Sequence, residues 1–591
     1  MRLFCSLICA VLIVGSHASR AQDADPAPKK VSWAHIEVKG SYPEGAQMPG
    51  LFGDLSESMG DLVARIKKAS QDKSVKGIVL RINSPGLGWA RLNELKQVIA
   101  EARTSRKVIA QLDDAGTKDL LLASYCDEIV MPESGSVMLL GMRAEVSFYK
   151  NLFDKLDVKP DMLRVGEFKS AAEPYNRTEM SPEFREEMEA IIGDYFDQLV
   201  DQISKSRKLS RDKVIAIIDN GPYTADAAKK LGLIDKVAYT DQIPEMIKRD
   251  QPKIELKLVK RYGKKNVDMD FSGPFGPLNM LSMMMGGGSR SRRSSKPKVA
   301  VIYASGMIMT GRSQSSPLGG SILGSDSLVK AINKAATDKT VKVIVLRVDS
   351  PGGSALASDL IWRALEKAPQ PVVASMGDTA ASGGYYISMG ADAIFAEPGT
   401  LTGSIGVVGG KVALGGLMKK VGVTTSVIKR GKNSGLLSMN NGFSDSERKA
   451  MQKMLNKVYE QFTQKAAAGR KMDYDKLEKL ARGRVYTGRQ ALKIGLVDKL
   501  GTLEDAIAQA EKLAGVSKDE SLERMILPKP VSPLEMLLGP TGADVRSANT
   551  AKSVLSALPQ PLTQEFKHLS TLQLLAREPV LTLMPFRVVV D

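Results

Sequence analysis

The sequence predicts an α/β fold that is built twice in tandem. Apolar runs of strand length alternate with segments of helical periodicity from Val31 onward, which is typical of α/β proteins. The segment 75–86 recurs as 341–352 with nine of twelve residues identical, and 223–237 recurs as 486–500 with eight of fifteen. The two offsets, 266 and 263 residues, are nearly equal, which indicates a duplicated domain.

The duplication divides the chain, whose 591 residues exceed one ordinary domain. We predict a signal peptide over 1–21, an N-terminal half over 31–260, a linker over 261–298, a C-terminal half over 299–520 and a tail over 521–591. The linker is rich in Met, Gly and Pro and then in Arg and Ser. Its apolar part is too short to span a bilayer, and it could lie on a membrane surface or pack as core. The tail ends in a strand-like run, to which the sequence assigns no function.

The amino terminus has the pattern of a secretory signal. An arginine and an apolar run over 3–14 precede small residues typical of cleavage sites, and an uncleaved anchor is the alternative. Removing the signal leaves Cys126 as the only cysteine, so no internal disulfide is predicted. The formal net charge of +17 favours anionic partners such as a membrane surface or a cell-wall polymer. Nucleic acid is not a predicted partner, because the sequence has no zinc-ligand spacing, phosphate loop or aromatic–basic motif.

A glycine-rich stretch over 378–410 contains a candidate catalytic serine. The apolar run 371–376 predicts a buried strand, and Ser382 follows it at the start of a predicted helix over 383–389. The first turn of a helix leaves backbone N–H groups unpaired, and such groups could stabilise an oxyanion beside the serine. The alternative is a capping serine in a glycine-rich turn.

The small number of histidines limits which base could activate Ser382. The sequence has only His17, His35 and His568. The first lies in the predicted signal peptide, and the other two lie near opposite ends of the chain. A Ser–His–Asp triad is therefore disfavoured, and the predicted base is a lysine.

Each half lacks a residue that the other half has. Aligning the halves places Lys118 opposite Ser382, and it places Ser434 opposite Lys169, with Lys432 two residues before that serine. The first half also lacks the paired glycines of the second. A serine in one copy and a lysine in the other indicate one composite site between the halves. We expect Lys118 and Lys432 to be solvent-facing or structural.

Four short motifs indicate a family. In chain order they are Gly166-Glu-Phe-Lys-Ser170, Asp349-Ser-Pro-Gly-Gly353, Ala381-Ser-Gly-Gly-Tyr-Tyr386 and Thr402-Gly-Ser-Ile-Gly406. With the duplication, they make the chain resemble the long form of the signal peptide peptidase A (protease IV) family over nearly all of 31–510. The resemblance implies a ClpP/crotonase-like α/β superhelix in each half. It also implies association with the periplasmic side of the bacterial inner membrane and assembly into a homo-oligomer, a tetramer.

The resemblance also implies roles for individual residues. Ser382 matches the nucleophile and Lys169 the general base of a Ser–Lys dyad that is built across the two halves. Ser404 matches a serine that positions the lysine, although a simple turn serine is the alternative. The oxyanion donors would be the backbone N–H groups of Gly383 and Gly353. Gly352 would lie beside them, and no metal or organic cofactor is needed.

A lysine serves as a base only when it is neutral. Its ordinary pKa of about 10.4 must fall by roughly three units for work near neutral pH, and burial between two packed halves can supply this. The predicted function is a serine endopeptidase that degrades cleaved signal peptides or other apolar peptides at the membrane. The alternative is a catalytically inactive, membrane-associated scaffold of the same fold that binds peptides. An enzyme of acyl-thioester chemistry is disfavoured by the signal peptide.

Overall fold

The computed structural model describes residues 29–45, 57–250, 254–264, 294–315, 321–428, 430–516, 522–528 and 580–584. The predicted signal peptide and the strand-like run at 587–590 lie outside these residues, as do most of the predicted linker and tail. Among the helices of the described part, none has the length and apolar character needed to cross a membrane.

The first half is organised around a six-stranded parallel sheet. Near-continuous apolar runs such as that of Val75–Gly86 form these strands, because parallel strands are covered by other elements on both faces. In sheet order the strands are Ile254–Lys260, Lys29–Ser41, Val75–Gly86, Lys107–Leu112, Glu128–Met131 and Lys236–Val237. The α-helices of this half are Met59–Gln71, Trp89–Arg103, Thr117–Ala123, Lys150–Leu156, Glu173–Asn176, Pro182–Arg207, Arg211–Asp219, Ala225–Leu231 and Ile243–Asp250.

The second half repeats this arrangement. Its main sheet runs in the order Val485–Thr487, Leu401–Gly403, Val372–Ala381, Val341–Ser350, Lys298–Ser305 and Glu523–Leu527, with Ala393–Ala396 and Lys499–Leu500 attached beside Val372–Ala381. Its α-helices are Ser325–Thr337, Ala355–Glu366, Gly383–Tyr386, Gly415–Lys420, Asp445–Gly469, Tyr474–Leu480, Gly488–Lys493 and Leu503–Leu513. The two segments that are nearly identical in sequence, 75–86 and 341–352, therefore form equivalent central strands.

A further sheet joins the halves. Its order is Gln314–Ser315, Ser321–Gly324, Met307–Met309, Gly352–Ser354, Val580–Leu583, Val407–Ala413 and Lys159–Val165. The last strand belongs to the first half and pairs antiparallel with Val407–Ala413 of the second half through seven residue pairs. The strand from the tail lies between two strands of the second half. A small sheet of Ala115–Gly116, Ser136–Met138 and Tyr223–Thr224 lies within the first half.

Buried charges also hold the halves together. The fully buried guanidinium of Arg347 in the second half lies 2.9 Å from carboxylate oxygens of both Glu44 and Glu94 in the first half. Arg91 of the first half pairs with Asp378 of the second. Removing one partner from such a pair leaves an uncompensated buried charge, so these contacts strongly favour one relative placement of the halves.

Two predicted elements near Ser382 differ in length from the observed ones. The strand predicted over 371–376 extends over Val372–Ala381. It is longer than predicted because its last three residues, from Thr379 onward, pair with the neighbouring strand Leu401–Gly403. The helix predicted over 383–389 is the single turn Gly383–Tyr386.

Candidate active site

Two neighbouring parallel strands place Ser382 and Ser404 at the same edge of the second sheet. Ala381 and Gly403 are the last paired residues of these strands, and each is followed directly by one of the serines. The Ser382 N–H donates a 2.8 Å hydrogen bond to the Gly403 carbonyl. Both serines have a positive φ, 55° and 52°. Such sparsely populated backbone conformations cost roughly 1–3 kcal/mol each, and the strain is typical of functional sites.

The strand pair that joins the halves brings Lys169 to the same place. Val165 of the first half pairs with Val407 of the second, so the residues just after Val165 lie beside those just before Val407. Lys169 follows the first strand by four residues, and Ser404 precedes the second by three. The Lys169 Nζ lies 2.8 Å from the Ser382 Oγ, 2.8 Å from the Ser404 Oγ and 2.9 Å from the Ser404 carbonyl oxygen. All three side chains are fully buried.

These three contacts match the hydrogen-bonding capacity of a neutral amine. A neutral lysine has two N–H donors and one lone pair. Ser404 offers two acceptors, its carbonyl and its hydroxyl oxygen, which can take both N–H groups. A neutral amine would keep its lone pair for the third contact, which joins Nζ to the Ser382 Oγ. The geometry therefore fits a lysine that is ready to accept the serine proton.

Burial supplies the neutral form. It lowers the pKa of Lys169 to about 7, against an opposing effect of the Glu187 carboxylate. Burial likewise raises the pKa of Glu187 to about 8. Between these two values the neutral form of each group predominates, so the site holds an uncharged amine near neutral pH.

A turn over 482–485 supports the lysine and Ser404 together. The Arg482 carbonyl accepts from the N–H of Phe168, and the Arg484 carbonyl accepts from the N–H of Ser404, at 2.9 and 2.7 Å. A side chain at Gly483 would begin 2.6 Å from the Cβ of Lys169, so only glycine permits this approach. The Val485 N–H, at the end of the turn, donates a 2.6 Å hydrogen bond to the buried Glu187 carboxylate.

The paired glycines approach the residue after Ser382 closely. Gly352 and Gly353 have φ values of 95° and 151°, which favour glycine. A Cβ at Gly353 would lie 2.0 Å from the Ile308 carbonyl oxygen, and one at Gly352 would lie 2.6 Å from the backbone nitrogen of Gly383. The Gly352 N–H donates to the Ser350 hydroxyl at 3.1 Å, which leaves Gly353 as the better oxyanion donor of the pair.

The comparison with known proteins identifies a family for the chain. The model of peptidase family S49 matches residues 100–252 and again residues 364–517. The chain belongs to peptidase family S49. The two matches confirm the predicted tandem duplication of an α/β fold and the resemblance to signal peptide peptidase A. The chain is accordingly a serine peptidase.

Two relatives extend the match over most of the chain, and a third matches a smaller part of it. The chloroplastic serine protease SPPA of Arabidopsis thaliana is 32% identical over 527 residues, which cover 88% of this chain and 74% of the relative. Protease 4 of Haemophilus influenzae is 32% identical over 78% of this chain and 74% of its own length. A putative signal peptide peptidase SppA of Enterococcus faecium is 40% identical over 31% of this chain and 54% of its own length.

The structure brings together all six residues that the sequence nominated. Lys169 contacts both Ser382 and Ser404, Gly383 follows Ser382 in the chain, and Gly352, with Gly353 next to it, approaches the Gly383 nitrogen. Lys432 and Ser434 are exposed on the surface, as expected for that lysine.

Sequence reasoning missed two residues near this site, Glu187 and Thr582. Glu187 lies on the long helix Pro182–Arg207 and resembles any other acidic residue of that helix in sequence. Its full burial is a tertiary property. Thr582 reaches the site from the tail, 229 residues after Gly353. A cluster of β-branched and apolar residues over 580–584 was the available signal.

Proposed function

We propose that this serine peptidase cleaves peptide bonds with Ser382 as nucleophile and Lys169 as general base. The observation that carries the proposal is the 2.8 Å contact between the Ser382 Oγ and a fully buried lysine amine whose pKa burial lowers to about 7. A serine hydroxyl is a poor nucleophile until a base takes its proton, and a neutral amine can do so. Ser404 holds the amine in place through its two acceptor oxygens.

The reaction proceeds in two steps. Ser382 Oγ attacks the peptide carbonyl carbon while its proton passes to the Lys169 Nζ. The resulting oxyanion accepts hydrogen bonds from the N–H groups of Gly383 and Gly353. The C–N bond breaks as Lys169 returns the proton to the leaving amine, which leaves an ester on Ser382. Lys169 then takes a proton from water, the hydroxide attacks the ester, and the proton returns to Ser382.

A covalent probe directed at reactive serines tests this assignment. We expect a fluorophosphonate to label the wild-type protein and to leave Ser382→Ala and Lys169→Ala unlabelled. The chain offers matched controls in Ser434→Ala and Lys432→Ala, which remove the same groups at exposed positions. The controls should be labelled at the wild-type rate. Equal labelling of all five proteins would exclude the dyad, and an inactive peptide-binding scaffold would leave even the wild type unlabelled.

The proposed substrates are cleaved signal peptides or other apolar peptides at a membrane surface. The predicted signal peptide, the net charge of +17 and the name of the Enterococcus faecium relative support this choice. We place the protein on the extracytoplasmic side of the bacterial inner membrane, as a homotetramer. Fractionation of cells that express the full chain tests the location, and light scattering tests the assembly. Recovery in the cytoplasm, or a monomer in solution, would contradict the respective proposal.

A further inference from the structure

A strand from the tail runs through the candidate active site. Val580–Leu583 lies between Gly352–Ser354 and Val407–Ala413 and is antiparallel to both strands. Thr582 is opposite Gly353, and Leu581 is opposite Val408. The strand therefore fills a groove whose walls are the glycine strand and the strand that leads from Ser404.

The pairing pattern directs the Thr582 carbonyl toward the proposed oxyanion donors. The Met584 N–H donates to the Pro351 carbonyl at 2.9 Å. Opposite residues in an antiparallel ladder alternate between hydrogen-bonded and non-bonded pairs, so the next bonded pair is Gly353 with Thr582. The Thr582 carbonyl oxygen and the Gly383 nitrogen lie 2.1 and 2.6 Å from the position that a Cβ of Gly352 would occupy. The carbonyl thus lies beside both backbone donors, where a carbonyl under attack would be held.

The side chains of the strand fit the groove. Thr582 is fully buried, and its hydroxyl donates to the Gly353 carbonyl at 3.2 Å. A Cβ at Gly383 would lie 2.9 Å from this hydroxyl, which leaves little room for a larger residue than threonine. Leu581 is almost fully buried in an apolar cluster with Ala172 and Val408. The groove therefore accepts a small residue at the position of Thr582 and an apolar residue at the preceding position, that of Leu581.

We propose that residues 580–584 are a built-in competitor that occupies the peptide groove in the register of a substrate. The inference rests on the proposed function, because it assigns the groove to that reaction. A peptide substrate must displace the strand before it can bind. The apparent rate of the reaction is therefore proportional to the fraction of molecules whose groove is open. Tethering to the same chain raises the effective concentration of such a segment at the groove. By the same register, preferred substrates have a small residue whose carbonyl is attacked and an apolar residue immediately before it.

The test compares rates of fluorophosphonate labelling in the full chain. Thr582→Arg places a large charged group at a fully buried position of the strand and should release it from the groove. If the strand occupies roughly nine tenths of the wild-type grooves, releasing it opens about ten times as many. We therefore expect Thr582→Arg to be labelled about tenfold faster than the wild type, or more. Thr582→Val keeps the shape of the side chain and should stay slow. Thr425→Arg makes the same change at an exposed threonine and should match the wild type.

A gain in rate cannot come from misfolding, so the result is directly interpretable. A synthetic peptide of residues 578–586 should slow the labelling of Thr582→Arg in competition with the probe. Equal rates for wild type and Thr582→Arg would overturn the inference, as would failure of the peptide to slow that variant. In either case labelling that still depends on Ser382 would leave the proposed function intact. Loss of labelling in every variant would refute the proposed function itself.

Discussion

Raising the pH should activate Ser382 with a midpoint near 7. Burial lowers the pKa of Lys169 from 10.5 to about 7, which corresponds to about 5 kcal/mol of preference for the neutral amine. Because the folded-state pKa is lowered, the amine loses its proton as pH rises through 7. About a tenth of the amines are neutral one pH unit below that midpoint, and about nine tenths are neutral one unit above it. The acylation rate should therefore rise about tenfold from pH 6 to pH 8 and then level off.

The assay is the second-order rate of fluorophosphonate labelling between pH 5.5 and pH 9, corrected for hydrolysis of the probe. Glu187→Gln is the informative variant, because burial raises the pKa of Glu187 to about 8 and its carboxyl is then neutral at the midpoint. Replacing a neutral carboxyl by an amide should leave the midpoint near 7, whereas a lower midpoint would show that Glu187 is ionised there. The two buried groups titrate as a pair, so the wild-type curve reports a macroscopic pKa. A rate that keeps rising tenfold per pH unit up to pH 9 would refute the reasoning, since it would indicate an ordinary solvated lysine.

Three further substitutions test other parts of the structure. Ser404→Ala removes one acceptor of the lysine amine and should slow labelling about tenfold. Gly353→Ala would put a Cβ 2.0 Å from a carbonyl oxygen at a φ of 151°, and labelling should fall about 100-fold or more. Labelling of Ser404→Ala at the wild-type rate would contradict the role of Ser404 in positioning the lysine. Labelling of Gly353→Ala at that rate would contradict the role of Gly353 as an oxyanion donor. Arg347→Met removes the buried cation that pairs with both Glu44 and Glu94 and should lower the free energy of unfolding in urea by about 3–5 kcal/mol. A change below about 1 kcal/mol would show that those pairs do not hold the halves together.

The candidate site could be found from the sequence because the chain contains its own comparison. Alignment of the halves isolated Ser382 in one copy and Lys169 in the other, and short motifs added Ser404 and the glycines. The sequence alone could not predict which elements bring Ser382 and Lys169 into contact. That depends on the pairing of Lys159–Val165 with Val407–Ala413, which joins residues about 250 positions apart and leaves no local pattern.

Local patterns also gave imperfect element lengths around the serine. Gly377 and Asp378 interrupt the apolar run and favour a turn, yet the strand continues to Ala381 because a neighbouring strand pairs with it. The sequence also did not predict where the tail strand Val580–Leu583 lies. A run of four residues is too short to predict a partner, and its place in the middle of a sheet depends on two other strands.

The division of the dyad between the halves has a consequence for biosynthesis. A growing polypeptide presents the amine more than two hundred residues before the hydroxyl is made, and neither group has a partner in its own copy. On the proposed mechanism, the protein cleaves no peptide bond until both copies are complete and docked. The same mechanism would protect other nascent chains from this enzyme while it is being made.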